Sequence, residues 1–219
     1  NYPAACARIV LDYMKDKPKR KALDIGCAIG RSTFELARGF DEVTGVDFST
    51  RFIQEAQHLK ENGILRYTMP TEGELENFYE VKLSDFDLKE VAKKVSFWQA
   101  DACNLKPIYT EFDMIFGGNL IDRLYDPKKF LDSLASRLND GGMLILTSPY
   151  TWQEESTPKE KWIGGYKRDG EDVTTLDGLK EILGNAFDLI DVKDVPFVIQ
   201  ETARKHQYTI AQMTIWEKR

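Results

Sequence analysis

The chain has 219 residues, 42% of them hydrophobic, and a net charge of -6 at pH 7. This length and composition can bury one large core, so a single domain over residues 1 to 219 is expected. The negative charge opposes binding to nucleic acid or anionic membranes and favours a small molecule or a protein as partner. Without a membrane-length apolar run or a signal-peptide pattern, we expect a cytoplasmic protein. The three cysteines lack metal-ligand spacing, so no metal site or disulfide framework is expected.

Hydrophobic spacing predicts alternating helices and strands in the first part of the chain. An apolar stripe from residue 6 to 13 predicts an amphipathic helix, and residues 21 to 26 read as a short buried strand. A helix over residues 31 to 38 follows a glycine turn. Residues 42 to 47 form a second predicted strand, and Ser49 is a plausible N-cap for the helix after it.

The middle of the chain interrupts this alternation. Residues 64 to 94 are polar, rich in Glu and scattered with aromatics, and we interpret them as an insertion that packs on the domain. Strands are predicted again at 95 to 101 and 112 to 119. A helix with Phe130, Leu134 and Leu138 on one face is predicted to close at 140 to 142 and lead into a strand at 143 to 148.

The last third begins with a long loop rich in aromatic residues. A helix is predicted near 176 to 183, followed by two strands, roughly 187 to 198 and 207 to 216. Strands separated by single helices imply a parallel sheet with helices on both faces. Two closing strands without a helix between them imply an antiparallel hairpin at the edge, which makes the fold α/β.

Polar residues and glycines collect at the predicted carboxyl ends of the strands, where ligands bind in such sheets. The first strand runs into the turn Asp24-Ile25-Gly26-Cys27-Ala28-Ile29-Gly30, whose backbone can approach a ligand closely. Asp47 closes the second strand and could accept both hydroxyls of a ribose. Asp101 and Asn119 end the next two strands. The alternatives are an ordinary tight turn or a nicotinamide-dinucleotide site, with the acids as helix caps or solvated strand ends.

These residues resemble the first motif of class I methyltransferases, acidic-x-Gly-x-Gly-x-Gly, with Ala28 in place of the middle glycine. We expect Ala28 to keep a negative φ, because only a positive φ or a very close contact demands glycine. The resemblance implies a Rossmann-like fold with a mostly parallel seven-stranded sheet, and S-adenosylmethionine as cofactor. In this family the turn holds the amino-acid end of the cofactor, here at Gly26. Asp47 would hold the ribose, and Asp101 and the Ala102 N–H would hold the adenine.

The resemblance implies a larger cofactor set. Tyr2 and Arg8 would close the pocket from above, as an N-terminal helix does in many relatives, or would simply pack the first helix. The implied cofactor-binding residues are Tyr2, Arg8, Asp24, Gly26, Cys27, Ala28, Gly30, Asp47, Phe48, Asp101, Ala102 and Asn119.

Three segments, residues 1 to 8, 117 to 124 and 200 to 207, resemble the methyltransferases of ovothiol biosynthesis. That resemblance implies methylation of the imidazole of 5-thiohistidine (4-mercaptohistidine) at the pi nitrogen, giving ovothiol A. In that family the module occurs alone or fused after an iron-dependent sulfoxide synthase, so this synthase is the implied partner. Another small-molecule acceptor or a noncatalytic scaffold role are the alternatives.

The acceptor needs alignment more than acid-base help, because a neutral imidazole nitrogen already attacks a sulfonium methyl group. Asn119 can donate to or accept from the ring, and His206 is a candidate base, although a lone histidine is more often structural. Arg123 and Arg204 are candidate partners for the acceptor carboxylate, or surface arginines. Tyr166, with Trp152 and Trp162, would form a lid over the acceptor, or belong to the core or an interface.

Overall fold

The computed structural model describes residues 1–219 as eleven strands and five α-helices. The strands are β1 (Lys21–Ile25), β2 (Glu42–Asp47), β3 (Ile64–Glu72), β4 (Leu75–Lys82), β5 (Val95–Gln99), β6 (Phe112–Gly118), β7 (Leu138–Ser148), β8 (Tyr166–Arg168), β9 (Glu171–Val173), β10 (Phe187–Gln200) and β11 (His206–Lys218). The helices are α1 (Tyr2–Tyr13), α2 (Arg31–Leu36), α3 (Thr50–Asn62), α4 (Pro127–Asp132) and α5 (Thr175–Leu183). None of the helices combines the length and the apolar character needed to cross a membrane.

Seven strands form one sheet in the order β5-β2-β1-β6-β7-β11-β10. The first five are parallel to one another, whereas β11 runs antiparallel to both β7 and β10. The predicted α/β fold, with its mostly parallel sheet and its closing antiparallel hairpin, is therefore confirmed.

The sheet divides the core into two apolar clusters, one on each face. Met114 and Phe116 of β6 belong to one cluster and Ile115 to the other, because successive side chains of a strand point to opposite faces. Residues of α1, α2 and α3 cover the first face, and residues of α4 and α5 cover the second. This arrangement places the start of every helix that follows a parallel strand at the carboxyl edge of the sheet.

The predicted boundaries of α3 are confirmed by their capping contacts. The Ser49 side chain accepts a hydrogen bond from the Phe52 N–H at 3.3 Å, which satisfies a free donor of the first turn. At the other end, Gly63 has a φ of +72°, and its N–H donates to the Leu59 carbonyl at 2.8 Å. A glycine in this conformation ends a helix without steric cost.

The helix predicted to run on to residue 142 is wrong. Helix α4 ends at Asp132, a 3₁₀ turn covers Ala135–Arg137, and β7 already begins at Leu138. Gly141 has a φ of +72° and lies where the register between β6 and β7 shifts. The apolar spacing of residues 130 to 138 is satisfied by two short turns, and the Asp-Gly-Gly sequence bends a strand instead of ending a helix.

Residues 64 to 94 form a β-hairpin, β3 and β4, followed by two 3₁₀ turns. The rings of Tyr67 and Tyr79 stack across this hairpin with centroids 5.4 Å apart, and Leu65 anchors it in the first apolar cluster. The long loop after β7 contains a second small hairpin, β8 and β9, which was not predicted. Periodicity does not reveal three-residue strands, because they are shorter than the window that defines a pattern.

Two hairpins meet beyond the carboxyl edge of the sheet. Strand β11 pairs with β7 only from Gln212 onwards, so its first half and the facing part of β10 project past that edge. At the tip of this projection the Ala203 N–H donates to the Pro70 carbonyl of β3 at 3.2 Å. Lower down, Phe197 of β10 packs against Tyr2 with ring centroids 4.4 Å apart. The carboxyl edge is therefore bordered by both hairpins and by the start of α1.

Candidate active site

The glycine turn joins β1 to α2 and is fastened to the neighbouring strand. The N–H groups of Gly26 and Cys27 both donate to the Val46 carbonyl of β2, at 2.8 and 3.1 Å. Gly26 and Gly30 have φ angles of +75° and +87°, which glycine adopts without the clash that other residues suffer. A Cβ atom on Gly30 would lie 2.3 Å from the ring of Phe97, so both the conformation and the space require glycine there.

Ala28 departs from the expectation of a negative φ. Its φ is +49°, in the left-handed region, so that expectation is wrong. This conformation costs an ordinary residue about 1–2 kcal/mol. The Ala28 N–H donates to Asp47 Oδ2 at 2.9 Å, and this charge-assisted hydrogen bond offsets the cost.

Asp24 and Cys27 support the turn from inside the protein. Asp24 is 1% exposed, and its Oδ2 accepts hydrogen bonds from Ser32 Oγ at 2.7 Å and Thr33 Oγ1 at 2.6 Å. These bonds tie the end of β1 to the first turn of α2. Cys27 is also buried, and burial raises the pKa of its thiol. Both side chains therefore shape the turn and face away from solvent.

Asp24 makes stability depend on pH in an identifiable window. Burial raises its pKa to about 6, from 3.8, so the folded chain holds this proton more tightly than the unfolded chain does. Its contribution to the free energy of unfolding is largest below about pH 4, is lost as the pH rises to about 6, and is constant above that. This shift corresponds to about 3 kcal/mol.

Asp24→Asn, which does not titrate, tests this dependence. We expect the free energy of unfolding of the parent, minus that of the variant, to fall by about 3 kcal/mol between about pH 4 and pH 7. Urea denaturation over a pH series measures it, with the exposed Asp12→Asn as control. A difference that is flat with pH for Asp24→Asn would contradict the assignment.

A cavity of about 350 Å³ opens beside the turn at the carboxyl edge of the sheet. Gly26, Asp47, Phe48, Asp101 and Ala102 all line it. The carboxyl ends of parallel strands meet at one edge, which brings together residues that are far apart in the sequence. The structure therefore gathers five of the predicted cofactor residues around one space.

The two strand-end carboxylates hold main-chain groups around this cavity. Asp47 accepts from the Ala28 N–H through Oδ2 and from the Ser49 N–H through Oδ1, both at 2.9 Å. Each carboxylate oxygen can accept a further hydrogen bond, so both remain usable by a ligand hydroxyl. Asp101 accepts from the Cys103 N–H at 2.9 Å, which caps the 3₁₀ turn that begins at Ala102.

Tyr125 is a lining residue that sequence reasoning missed. Its hydroxyl donates to Asp101 Oδ2 at 2.8 Å, and this hydrogen bond raises the pKa of Tyr125 to about 12. The phenol therefore stays protonated and fixes the carboxylate beside the cavity. No local pattern marks Tyr125, because it reaches Asp101 through the packing of the segment after β6 against the end of β5.

Asn119 lies at the end of β6 in a polar cluster with Tyr2 and Thr147. Its φ is +50°, and its N–H donates to the Thr147 carbonyl at 2.8 Å. Asn119 Oδ1 lies 2.9 Å from the Tyr2 hydroxyl and 3.2 Å from Thr147 Oγ1. The single proton of the Tyr2 hydroxyl goes to the nearer acceptor, Thr147 Oγ1 at 2.7 Å, and the Thr147 hydroxyl donates to Asn119 Oδ1. With Oδ1 used as an acceptor in this cluster, the Asn119 amide nitrogen is left as the group that can donate to a ligand.

Of the other residues with predicted roles, Arg123 lies at this edge of the sheet, whereas Arg8 and Tyr166 lie elsewhere. Arg123 lines the cavity that holds Asp47, but its guanidinium donates to the Thr151 carbonyl at 3.1 Å and to Gln153 Oε1 at 2.9 Å. Arg8 is exposed on α1 and lines none of the larger cavities. Tyr166 lines a separate cavity between α4, α5 and β8.

Arg204 and His206 lie at the tip of the β10–β11 hairpin and are exposed. His206 precedes Gln212, the residue paired with the end of β7, by six residues, or about 20 Å of extended strand. The structure therefore does not bring His206 to Asn119 as a base, and it leaves the Arg204 side chain in solvent.

Trp152 and Trp162 stack with ring centroids 6.0 Å apart. The Trp152 indole N–H donates to Thr175 Oγ1 of α5 at 2.9 Å, and the Trp162 indole N–H donates to the Thr157 carbonyl at 2.8 Å. Trp152 also packs on the second apolar cluster. Packing within the domain therefore describes these contacts better than a lid does.

The sheet order, the glycine turn and the converging acids define a Rossmann-like fold with a nucleoside-binding edge. The model of a protein family described as "Methyltransferase domain" matches residues 16–176, which is more than half of the chain. The chain therefore belongs to this methyltransferase family, and S-adenosylmethionine is its methyl donor. No group of three or more His, Cys, Asp or Glu side chains is arranged to hold a metal ion.

Curated relatives include enzymes that methylate nitrogen and oxygen. The chain is 25% identical over 177 residues to phosphoethanolamine N-methyltransferase 3 of Arabidopsis thaliana, covering 80% of this chain and 30% of that protein. It is 26% identical over 144 residues to the ubiquinone biosynthesis O-methyltransferase of Actinobacillus pleuropneumoniae, covering 63% and 51%. The chain thus spans 30% and 51% of the length of these two relatives.

Solved structures share the fold at low sequence identity. The YcgJ protein of Bacillus subtilis superposes with a TM-score of 0.61 and 13% identity, covering 98% of each chain. The N-methyltransferase NodS of Bradyrhizobium japonicum, in complex with S-adenosyl-L-homocysteine, gives a TM-score of 0.59 and 15% identity, covering 96% of this chain and 84% of NodS. These similarities establish the fold.

Proposed function

We propose that this methyltransferase transfers the methyl group of S-adenosylmethionine to the pi nitrogen of the imidazole of 5-thiohistidine, giving ovothiol A. The contact between Tyr2 and Asn119 carries the proposal. These residues belong to two of the three segments that resemble the ovothiol methyltransferases. The third segment, residues 200 to 207, closes the β10–β11 hairpin, whose Phe197 packs on Tyr2. Two of the three segments therefore meet at the carboxyl edge of the sheet, and the third closes a hairpin that borders this edge.

The chemistry of an imidazole acceptor suits the groups around Asn119. The neutral pi nitrogen attacks the methyl carbon with its lone pair, the carbon–sulfur bond breaks, and its electron pair returns to sulfur to give S-adenosyl-L-homocysteine. The imidazolium product then loses its ring N–H proton to solvent. No base is needed during the transfer itself. Tyr2 stays protonated, because burial raises its pKa, and it acts by hydrogen bonding.

Alignment then supplies most of the rate, since well-oriented reactants gain effective molarities of about 10⁵ M or more. The acceptor also carries a thiolate, which competes for the methyl group. In this proposal the free amide N–H of Asn119 donates to the thiolate, which lowers the reactivity of the sulfur and leaves the pi nitrogen facing the methyl group. The acceptor would come from an enzyme that installs sulfur on histidine, such as a fused or neighbouring iron-dependent sulfoxide synthase.

The proposal is tested with the purified chain, S-adenosylmethionine and a panel of 5-thiohistidine, histidine and ergothioneine. Mass spectrometry is expected to show the gain of one methyl group on thiohistidine, and NMR is expected to locate it on the pi nitrogen. An unchanged thiohistidine would overturn the proposal, as would a methyl group on its sulfur.

Two substitutions in the Asn119 cluster should lower turnover. Asn119→Ala removes the donor to a charged sulfur, a bond of about 1.5–3 kcal/mol, so we expect kcat to fall by about 10- to 100-fold. Tyr2→Phe removes one neutral hydrogen bond, and we expect a loss of about tenfold or less.

Steady-state kinetics with thiohistidine measures both losses, and calorimetry with S-adenosyl-L-homocysteine monitors the cofactor site. Tyr208→Phe is the matched control, because Tyr208 is 66% exposed on β11. Equal kinetics for Asn119→Ala and Tyr208→Phe would remove Asn119 from the proposed role.

A further inference from the structure

A second and larger cavity, of about 830 Å³, lies beside the glycine turn. The β3–β4 hairpin covers it, and the first turns of α3 form one wall. Ile29 of the glycine turn and Asn1, the neighbour of Tyr2, also line it. It therefore adjoins both the turn and the start of α1. The smaller cavity that contains Asp47 and Asp101 lies at the same edge of the sheet and is lined by other residues.

Most charged side chains that line this cavity already have a partner. Arg31 lies 2.8 Å from Glu35, and its guanidinium is stacked 4.0 Å above the ring of Phe86. Arg66 and Lys82 share Glu80, at 2.9 and 3.0 Å. These contacts hold the hairpin and the start of α2 in place. The positive charges of Arg31, Arg66 and Lys82 are therefore already paired within the protein.

Arg51 and Glu55 are the exceptions. They lie one turn apart on α3 and both line the cavity, yet neither forms an ion pair or a side-chain hydrogen bond in the structure. Residues four apart on a helix share a face, so both can reach one ligand. The cavity thus offers a guanidinium and a carboxylate on the same wall, each without a protein partner.

We propose that this cavity binds the methyl acceptor and that Arg51 and Glu55 recognise the carboxylate and the ammonium group of a zwitterionic amino acid. The proposal rests on the proposed function, since it assigns the acceptor of the same reaction to a place in the fold. A guanidinium binds a carboxylate through two parallel hydrogen bonds, and a carboxylate accepts from an ammonium group.

With the two charged groups held on α3, the acceptor ring extends along the cavity towards Ile29 and Asn1, which adjoin the glycine turn and Tyr2. This assignment replaces Arg123 and Arg204, which were predicted to bind the carboxylate. Arg123 is already held by the segment of residues 151 to 153. Arg204 and Arg51 are both exposed, but only Arg51 lines this cavity, whereas Arg204 lies at a hairpin tip.

Binding measurements with matched analogues test the proposal. Calorimetry is performed on the chain saturated with S-adenosyl-L-homocysteine, with 5-thiohistidine and histidine as ligands. Arg51→Ala and Glu55→Gln are each expected to lower the affinity by about tenfold or more, because each removes a charge-assisted bond. The controls are Lys89→Ala and Glu61→Gln, exposed charged residues outside the cavity lining. The affinity for S-adenosyl-L-homocysteine should be the same in all four variants.

Two truncated ligands separate the two roles. Histamine lacks the carboxylate, so its binding should be insensitive to Arg51→Ala and still sensitive to Glu55→Gln. Imidazole propionate lacks the ammonium group, so it should show the opposite pattern. A variant that merely disturbs the fold would weaken all of these ligands together.

The outcomes also separate this proposal from the proposed function. If the unchanged chain binds thiohistidine but does not methylate it, the proposed function fails, and the variants still decide the role of the cavity. The cavity proposal is overturned if Arg51→Ala and Glu55→Gln bind thiohistidine and histidine as well as the controls do, or if the unchanged chain binds neither amino acid.

Discussion

Gly30→Ala is expected to lower the free energy of unfolding by about 4 kcal/mol, the largest stability loss that we predict for one added methyl group. Gly30 has a φ of +87°, and a Cβ atom there would lie 2.3 Å from Phe97 Cζ and 2.6 Å from Cε1. Phe97 is 2% exposed, and its ring packs edge-on against Phe34 with centroids 5.4 Å apart, so it has no room to retreat. Backbone strain and overpacking therefore add.

Gly63→Ala is the matched control for this experiment. Gly63 also has a positive φ, +72°, but nothing lies within 4 Å of the Cβ that would be added. Only the conformational cost applies there, so we expect a loss of about 1 kcal/mol. Urea denaturation of both variants measures the difference. If the two variants lose the same stability, then Phe97 yields to the new methyl group and the close packing under the turn is not what requires glycine.

Asp47→Ala is expected to weaken the binding of S-adenosyl-L-homocysteine by about 100-fold. Two hydrogen bonds from ribose hydroxyls to a carboxylate contribute about 3 kcal/mol together, and this energy corresponds to a factor of about 100 in the dissociation constant. The same carboxylate holds the N–H groups of Ala28 and Ser49, so its loss also loosens the turn that faces the cofactor. Both effects act in the same direction.

Titration calorimetry with S-adenosyl-L-homocysteine measures this loss. Glu42→Ala, which removes an exposed acid from the opposite end of β2, is the control and should bind like the parent. Thermal unfolding of both variants separates a loosened turn from a lost contact. If the parent does not bind S-adenosyl-L-homocysteine and Asp47→Ala behaves in the same way, a noncatalytic scaffold role would replace the enzyme assignment.

Much of the fold could be predicted because its signals are local. The strand at residues 42 to 47 and the helix after Ser49 match the structure, since a buried apolar run and a capping serine act within a few residues. The boundary between α4 and β7 could not be predicted. Helical spacing from Phe130 to Leu138 also suits two short turns, and only pairing with β6 selects them.

The backbone angle of Ala28 was a different kind of error. An alanine in a glycine position suggests a negative φ, yet the hydrogen bond from its N–H to Asp47 holds the left-handed conformation. This contact joins residues nineteen positions apart, one in the glycine turn and one at the end of β2, so no local rule contains it. Tyr125, which fixes Asp101, was missed for the same reason.

The sequence by itself determined that Gly26, Asp47 and Asp101 meet at one edge of the sheet, because the carboxyl ends of parallel strands lie together once the sheet forms. Only the tertiary structure showed the surroundings of the proposed acceptor site. The course of the two hairpins leaves His206 and Arg204 in solvent, and it covers the cavity in which Arg51 and Glu55 face a common space. The physical reason is that a hairpin or an exposed helix face is positioned by packing between distant segments, which no sequence period reports.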